Sequence, residues 1–184
     1  MTTRSYDISV DKHVDDINSL NVVLVADLHL GYSIGCSDME KMVDRINALN
    51  PDVVIYAGDI FDNDYDALDD PERLVDIMRN VSAAYGSYAV FGNHDVTETL
   101  VGGFSTASRT KAFRDPRMEA FLLQAGINIM LDEVTTIADG KINLIGRLDG
   151  EKAGDGTSNR KDLSELVKQC DMSKPVIVIN HEPD

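Results

Sequence analysis

The chain has 184 residues, with 17 Lys+Arg against 32 Asp+Glu and a formal net charge of −15. An acidic surplus of this size argues against gripping nucleic acid through a general positive field, because such binding relies on Lys and Arg neutralising phosphates; it leaves room for an enzyme whose site is made locally positive by bound metal ions. The hydrophobic content of 43% excludes a disordered chain and suits about one folded domain.

No apolar run is long enough to cross a bilayer, and no signal-peptide pattern opens the chain. Cys36 and Cys170 have no motif spacing and read as reduced thiols. A cytoplasmic setting, or the cytoplasmic face of a membrane, is the expectation.

Tyr6, Ile8 and Val10 alternate with polar residues, which predicts a first short strand. Residues 21–26 form a β-branched run ending at Asp27, the pattern of a strand buried on both faces. Ser37 and Glu40 have the spacing of a capping box. Met39, Met42, Val43, Ile46 and Leu49 follow at helical spacing until Asn50-Pro51 stops the helix. Residues 53–57 predict a second buried strand that leads into Gly58-Asp59, and the acidic stretch 62–70 reads as a solvated loop. Asp70 before Pro71 predicts a helix start, with Leu74, Val75, Met78 and Val81 on the apolar face. Residues 87–91 predict a third strand, ending at Gly92-Asn93-His94-Asp95. Asp115-Pro116 opens another helix, with Phe121 and Leu122 inward. Residues 133–138 and 141–145 flank Asp139-Gly140, a hairpin signal of the type I′ kind. A Gly/Asp-rich loop, 149–156, precedes a helix around 162–169 and a last buried strand at 175–179 that leads into Asn180-His181. Strands alternating with helices predict an α/β fold with a substantially parallel sheet.

Four predicted strands therefore end in side chains suited to metals: Asp27-Leu28-His29, Gly58-Asp59, Gly92-Asn93-His94-Asp95 and Asn180-His181. Ligands of open α/β sheets bind beyond the carboxyl ends of the strands, so these residues are expected to meet at one rim. A single Asp or Gly-Asp there is as readily a turn or a cap; recurrence at four strand ends is what points to a site. Imidazole together with carboxylate suits Zn, Mn, Fe or Ni better than Ca or Mg. His13 lies outside these positions and is expected on the surface.

Asp27-Leu28-His29, Gly58-Asp59-Ile60-Phe61-Asp62, Gly92-Asn93-His94-Asp95 and His181-Glu182-Pro183 resemble the calcineurin-like metallophosphoesterases. That family shows D-x-H, G-D-x-x-D, G-N-H-D/E, a lone His after a strand, and finally G-H-x-H. The resemblance extends from about Val22 to the C-terminus, and Ala26-Asp27-Leu28-His29-Leu30-Gly31 is similar to a bacterial subgroup that includes membrane-associated phosphoesterases. It implies one domain over residues 1–184, a four-layer α/β/β/α sandwich around two divalent metal ions (Mn, Fe, Zn or Ni). By the same resemblance Asp27 and His29 bind the first metal, Asp59 bridges both, and Asn93 and His181 bind the second. His94 is implied to face the phosphoryl group, stabilising charge or protonating the leaving oxygen, with Asn93 also on the substrate side. Asp95 either orients His94 or serves structure, and Asp62 has the same two readings. Arg147 offers a guanidinium to a phosphate or makes a surface salt bridge.

The implied activity is hydrolysis of a phosphomonoester or phosphodiester by a metal-bridging hydroxide. The alternative is a non-catalytic or weakly active metal-binding module, because the chain stops at His181-Glu182-Pro183-Asp184 without a G-H-x-H. On the family pattern the domain is expected to be cut before its last ligands, with C-terminal strands of the second sheet missing and an open edge that favours self-association. The other implied partners are the phosphoester substrate and, for the full-length protein of that subgroup, peripheral contact with a membrane. Residues 97–111, with Gly102-Gly103, Ser105, Ser108, Arg109 and Lys111, read as a loop over the site or as an ordinary solvent loop.

Overall fold

A computed structural model describes residues 2–97, 100–101, 104–105, 112–156 and 159–182. In chain order the elements are β1 (Val22–Val25), α1 (Cys36–Ala48), β2 (Val53–Ala57), α2 (Pro71–Arg79), β3 (Ser87–Val90), the pair β4 (Leu100–Val101) and β5 (Phe104–Ser105), α3 (Pro116–Gln124), β6 (Ile127–Ile129), β7 (Glu133–Ile137), β8 (Ile142–Gly146), α4 (Leu163–Val167) and β9 (Val176–Ile179). A single 3-10 turn, Tyr65–Ala67, precedes α2.

The first sheet has the order β1-β2-β3-β6 and is parallel throughout, with Val23 beside Val54 and Tyr56 beside Ala89. Parallel neighbours need long crossovers, and α1, α2 and α3 lie in the three connections. Their apolar stripes bury Met39, Met42 and Ile46, Leu74, Val75 and Met78, and Met118, Phe121 and Leu122 in one core with Val54, Tyr56 and Ala89. The opposite face carries Val53, Ile55, Ala57 and Val90, which pack with Ile137, Ile142, Leu144 and Ile179 of a second sheet ordered β7-β8-β9. Successive strand residues alternate between faces, so β2, covered on both, is buried along its whole length. Each fully buried Val, Leu or Ile contributes about 1.5–3 kcal/mol relative to exposure. The mixed α/β architecture with a parallel sheet matches the expected fold class, and α4 lies in the crossover from β8 to its parallel neighbour β9.

Two predicted helix starts form as expected. Asp70 Oδ1 accepts the Arg73 amide at 3.1 Å, and Asp115 Oδ1 accepts the Arg117 amide at 2.8 Å. The β7–β8 hairpin turns at Asp139-Gly140 as expected: Ala138, Asp139 and Gly140 all take positive φ, and the Lys141 amide is 3.1 Å from both the Ile137 and the Ala138 carbonyls. Both cysteines are free thiols, and His13 is exposed beside Asp15.

Other expectations are corrected. Residues 6–10 form no strand: Tyr6, Ile8 and Val10 are exposed, and no described strand pairs with them. Alternation makes a strand only where a neighbouring edge supplies hydrogen bonds. The capping box does not form either, since α1 starts two residues early, with Gly35 rather than Ser37 as its N-cap and no side-chain cap. Glu40 instead accepts Arg73 Nη2 at 2.7 Å. β1 and β9 are apolar runs without full burial; Leu24 is 65% and Val178 42% exposed. Both are edge strands, so one face extends past the end of the opposing layer. Of residues 97–111, all but Thr97 and the short β4–β5 pair fall outside the described residues. Among the described residues no helix is long and apolar enough to cross a membrane.

Candidate metal centre

The carboxyl ends of β1, β2, β3 and β9 are adjacent because their strands are parallel within each sheet and the sheets pack face to face. Just beyond β1 and β2 the backbone turns sharply: Asp27, His29 and Asp59 have φ of 54°, 48° and 51°. Left-handed φ in residues other than glycine costs on the order of 1 kcal/mol each and concentrates at functional sites. The turns are held in step by His29 N donating to Asp59 O at 3.0 Å and Leu30 N to Ile60 O at 2.9 Å.

Asp59 stands at the centre, 4% exposed. Its Oδ2 lies 3.8 Å from His29 Nε2, and its Oδ1 lies 3.4 Å from His181 Nε2. The backbone amide of His94 donates to the same Oδ1 at 2.9 Å. Asp27, Asp59 and His181 bring ligand atoms within 4.8 Å of one another, and so do His29, Asp62 and His94. Of the strand-end residues singled out from the sequence, the rim gathers Asp27, His29, Asp59, Asn93, His94 and His181, whereas Asp95 bonds backbone amides. The second grouping adds Asp62, whose Oδ1 is 3.7 Å from His29 Nδ1.

Two glycines allow this density. A Cβ on Gly58 would lie 2.5 Å from His181 Nδ1, and one on Gly92 would collide with Asp59 Oδ1 and stand 2.7 Å from His181 Cδ2. Gly58 also has φ of 89°, which side chains rarely adopt.

The hydrogen bonds of His181 test whether a cation fits. Its Nδ1 donates to the Ala57 carbonyl at 2.8 Å, so in the neutral ring Nε2 is an acceptor. That nitrogen faces two further acceptors, Asn93 Oδ1 at 3.2 Å and Asp59 Oδ1 at 3.4 Å. Three acceptors converging call for a positive species between them. Burial alone would push the His181 pKa down, but the Ala57 carbonyl and the carboxylates of Asp59, Asp149 and Asp27 outweigh it, and the net shift is upward. Among the described residues neither Asp27, which is exposed, nor Asp59, which is buried, has a Lys or Arg ion pair; a buried carboxylate such as Asp59 needs a compensating positive partner. Imidazole, carboxylate and amide oxygen together form a donor set for a borderline divalent metal.

Asp95 is fully buried, and its two oxygens accept the Phe61 amide at 2.7 Å and the Gly92 amide at 2.8 Å rather than the His94 ring. Burial raises its pKa to about 7, against the lowering effect of those two amides. The partner of His94 Nδ1 is Asn63 Oδ1 at 2.8 Å. Asn63 had no signal of its own in the sequence beyond standing directly after Asp62. Arg147 is 7% exposed and donates Nη2 to the Lys161 carbonyl at 3.3 Å, a position set by the end of β8.

The profile of the family described as calcineurin-like phosphoesterase matches residues 20–184. A protein of Danio rerio named "Transmembrane protein with metallophosphoesterase domain" is 29% identical over 96% of this chain and 38% of its own length. The "UDP-2,3-diacylglucosamine pyrophosphatase LpxG" of Chlamydia trachomatis is 23% identical over 96% of the chain and 61% of its own length. The "Uncharacterized metallophosphoesterase YkuE" of Bacillus subtilis is 25% identical over 91% and 52%. The chain thus spans 38% to 61% of these relatives. Strand-end motifs, converging acceptors and a match over most of the sequence agree: this chain belongs to the calcineurin-like phosphoesterase family.

Proposed function

We propose that the rim holds two divalent ions and hydrolyses a phosphomonoester or phosphodiester. Asp27 and His29 serve one ion, Asn93 and His181 the other, and Asp59 both. The observation that carries this reading is the division of Asp59, with Oδ2 toward His29 and Oδ1 toward His181. A carboxylate so placed can give one oxygen to each ion. Bound ions of this kind lower the pKa of a coordinated water and polarise phosphoryl oxygens.

The remaining work belongs to the chain. Ala57 O, by accepting from His181 Nδ1, leaves Nε2 free to act as a ligand. Asp62 Oδ1 stands 3.7 Å from His29 Nδ1, an ion-pair distance rather than a hydrogen bond, while His29 Nε2 faces Asp59. His94 faces the phosphoryl group and delivers a proton to the leaving oxygen, a contribution of about 10²–10⁴ in rate for a well-placed general acid.

The test is elemental analysis of the purified chain after loading with Mn²⁺ or Ni²⁺, paired with turnover of aryl phosphate mono- and diesters. A nucleotide-sugar pyrophosphate joins the panel because the chlamydial relative is named for one. Bound metal with turnover is the expected result. Bound metal without turnover of any ester supports a metal-binding module instead, and absence of both overturns the proposal.

A further inference from the structure

We infer that Asn63 is the positioning residue of His94: its amide oxygen takes the Nδ1 proton and thereby holds the ring in one orientation and one tautomer. The inference rests on His94 being the group that faces the phosphoryl, as proposed above.

The contact is short, 2.8 Å between Asn63 Oδ1 and His94 Nδ1. The amide cannot be turned round without loss, because Asn63 Nδ2 donates to the Val96 carbonyl at 3.1 Å. A flipped amide would set its oxygen against that carbonyl oxygen and its NH₂ against the ring. The backbone adds a third link, Asn63 N to His94 O at 3.0 Å. Asn63 is 6% exposed and has φ of 58°, a conformation that Asn tolerates better than most residues. Position and direction of the amide oxygen are therefore fixed before any substrate arrives.

The competing partners are placed less well. Asp62 Oδ1 is 3.9 Å from the same Nδ1, beyond hydrogen-bond distance, and is 3.7 Å from His29 Nδ1. The Asp95 oxygens are taken by Phe61 and Gly92. With Nδ1–H committed to Asn63, Nε2 is the ring atom left for the phosphoryl side. The protonated ring gives its Nε2 proton to the leaving oxygen and becomes neutral with Nδ1–H retained. An amide oxygen does not accept that proton, so Asn63 orients the acid without relaying charge.

Three forms of the full chain decide the matter: wild type, Asn63→Gly and Asn63→Asp. Glycine removes the side chain at a positive φ without backbone strain. Aspartate keeps an acceptor for His94 but loses the donor to Val96, so the two bonds of Asn63 are tested apart. The first readout is the ¹⁵N shift pattern of the neutral His94 ring in protein without added metal. Wild type and Asn63→Asp are expected to show the Nδ1–H tautomer, and Asn63→Gly a mixture. The second readout is steady-state kinetics on an ester with a poor leaving group. Asn63→Gly is expected to lose about 10–100-fold in kcat with KM nearly unchanged, and Asn63→Asp to recover most of it. An Nε2–H tautomer in wild type, an unchanged pattern in Asn63→Gly, or equal damage in both variants overturns the inference. A wild type that hydrolyses nothing while its tautomer still depends on Asn63 overturns the phosphoesterase reading and leaves Asn63 as the residue that sets the ring.

Discussion

The buried carboxylate of Asp95 accepts the backbone amide of Phe61 at 2.7 Å, tying the loop after β3 to the loop after β2. Its second oxygen accepts the Gly92 amide at 2.8 Å, so one side chain satisfies two buried donors. Asp95→Ala strands both, at about 1–3 kcal/mol for each unsatisfied group. Urea unfolding is expected to show a loss of roughly 2–6 kcal/mol on this basis. A loss under about 0.5 kcal/mol, the range of an ordinary surface change, contradicts the clamp.

Asp59→Asn replaces the central carboxylate with an amide of the same shape. Changes outside the coordinating shell typically cost 10–100-fold in metal affinity or activity, so a proposed ligand to both ions is expected to lose at least about 100-fold in turnover. Elemental analysis is expected to show reduced metal content in the same preparation. Full metal content with normal turnover would remove Asp59 from the centre.

Gly92→Ala tests the packing of the rim. The added methyl would collide with Asp59 Oδ1 and stand 2.6 Å from Asp59 N, so the loop must move. Overpacking of this kind costs about 1–3 kcal/mol. Thermal unfolding and metal binding are both expected to weaken, whereas Gly126→Ala, where a Cβ meets nothing within 4 Å, is expected to leave metal binding intact. Its φ of 78° still makes that control mildly strained.

A pH test is available far from the rim. Asp115 caps α3, and the Arg117 guanidinium and amide hold its pKa below the usual carboxylate value. A lowered folded-state pKa means stability that is present above the unfolded value, near 4, and is lost as pH falls through the folded one. Asp115→Ala is expected to cost about 0.5–2 kcal/mol at pH 7. The difference from wild type should shrink toward pH 2, as followed by urea midpoints. A gap that does not change with pH would assign the loss to something other than the ionised cap.

The positions of the helices were legible because their signals are local. Asp70-Pro71 and Asp115-Pro116 each combine a side-chain acceptor with a residue whose missing N–H costs nothing at a helix start, and both helices begin there. Gly35 is the counterexample. Ser37 and Glu40 satisfy the spacing of a capping box, yet α1 begins at Cys36 and Glu40 pairs with Arg73 of α2. That choice depends on a helix 33 residues away, which no local window contains.

Apolar runs specified strands but not their burial. β1, β2 and β9 read alike, and only β2 is buried throughout, because sheet order puts β1 and β9 at edges. Tyr6, Ile8 and Val10 show the same limit, since alternation describes a strand surface but brings no partner to it.

The sequence by itself determined the chemistry at the rim: aspartates, histidines and an asparagine at the ends of four strands, where parallel α/β geometry brings such ends together. Only the tertiary structure decided which of these atoms face one another. It turned Asp59 toward His29 on one side and His181 on the other, gave Asp95 to backbone amides, and set Asn63 against His94. The reason is physical. Residue type and strand position are properties of short segments, whereas the direction of a buried oxygen is set by whichever donors the folded loops place within about 3 Å of it.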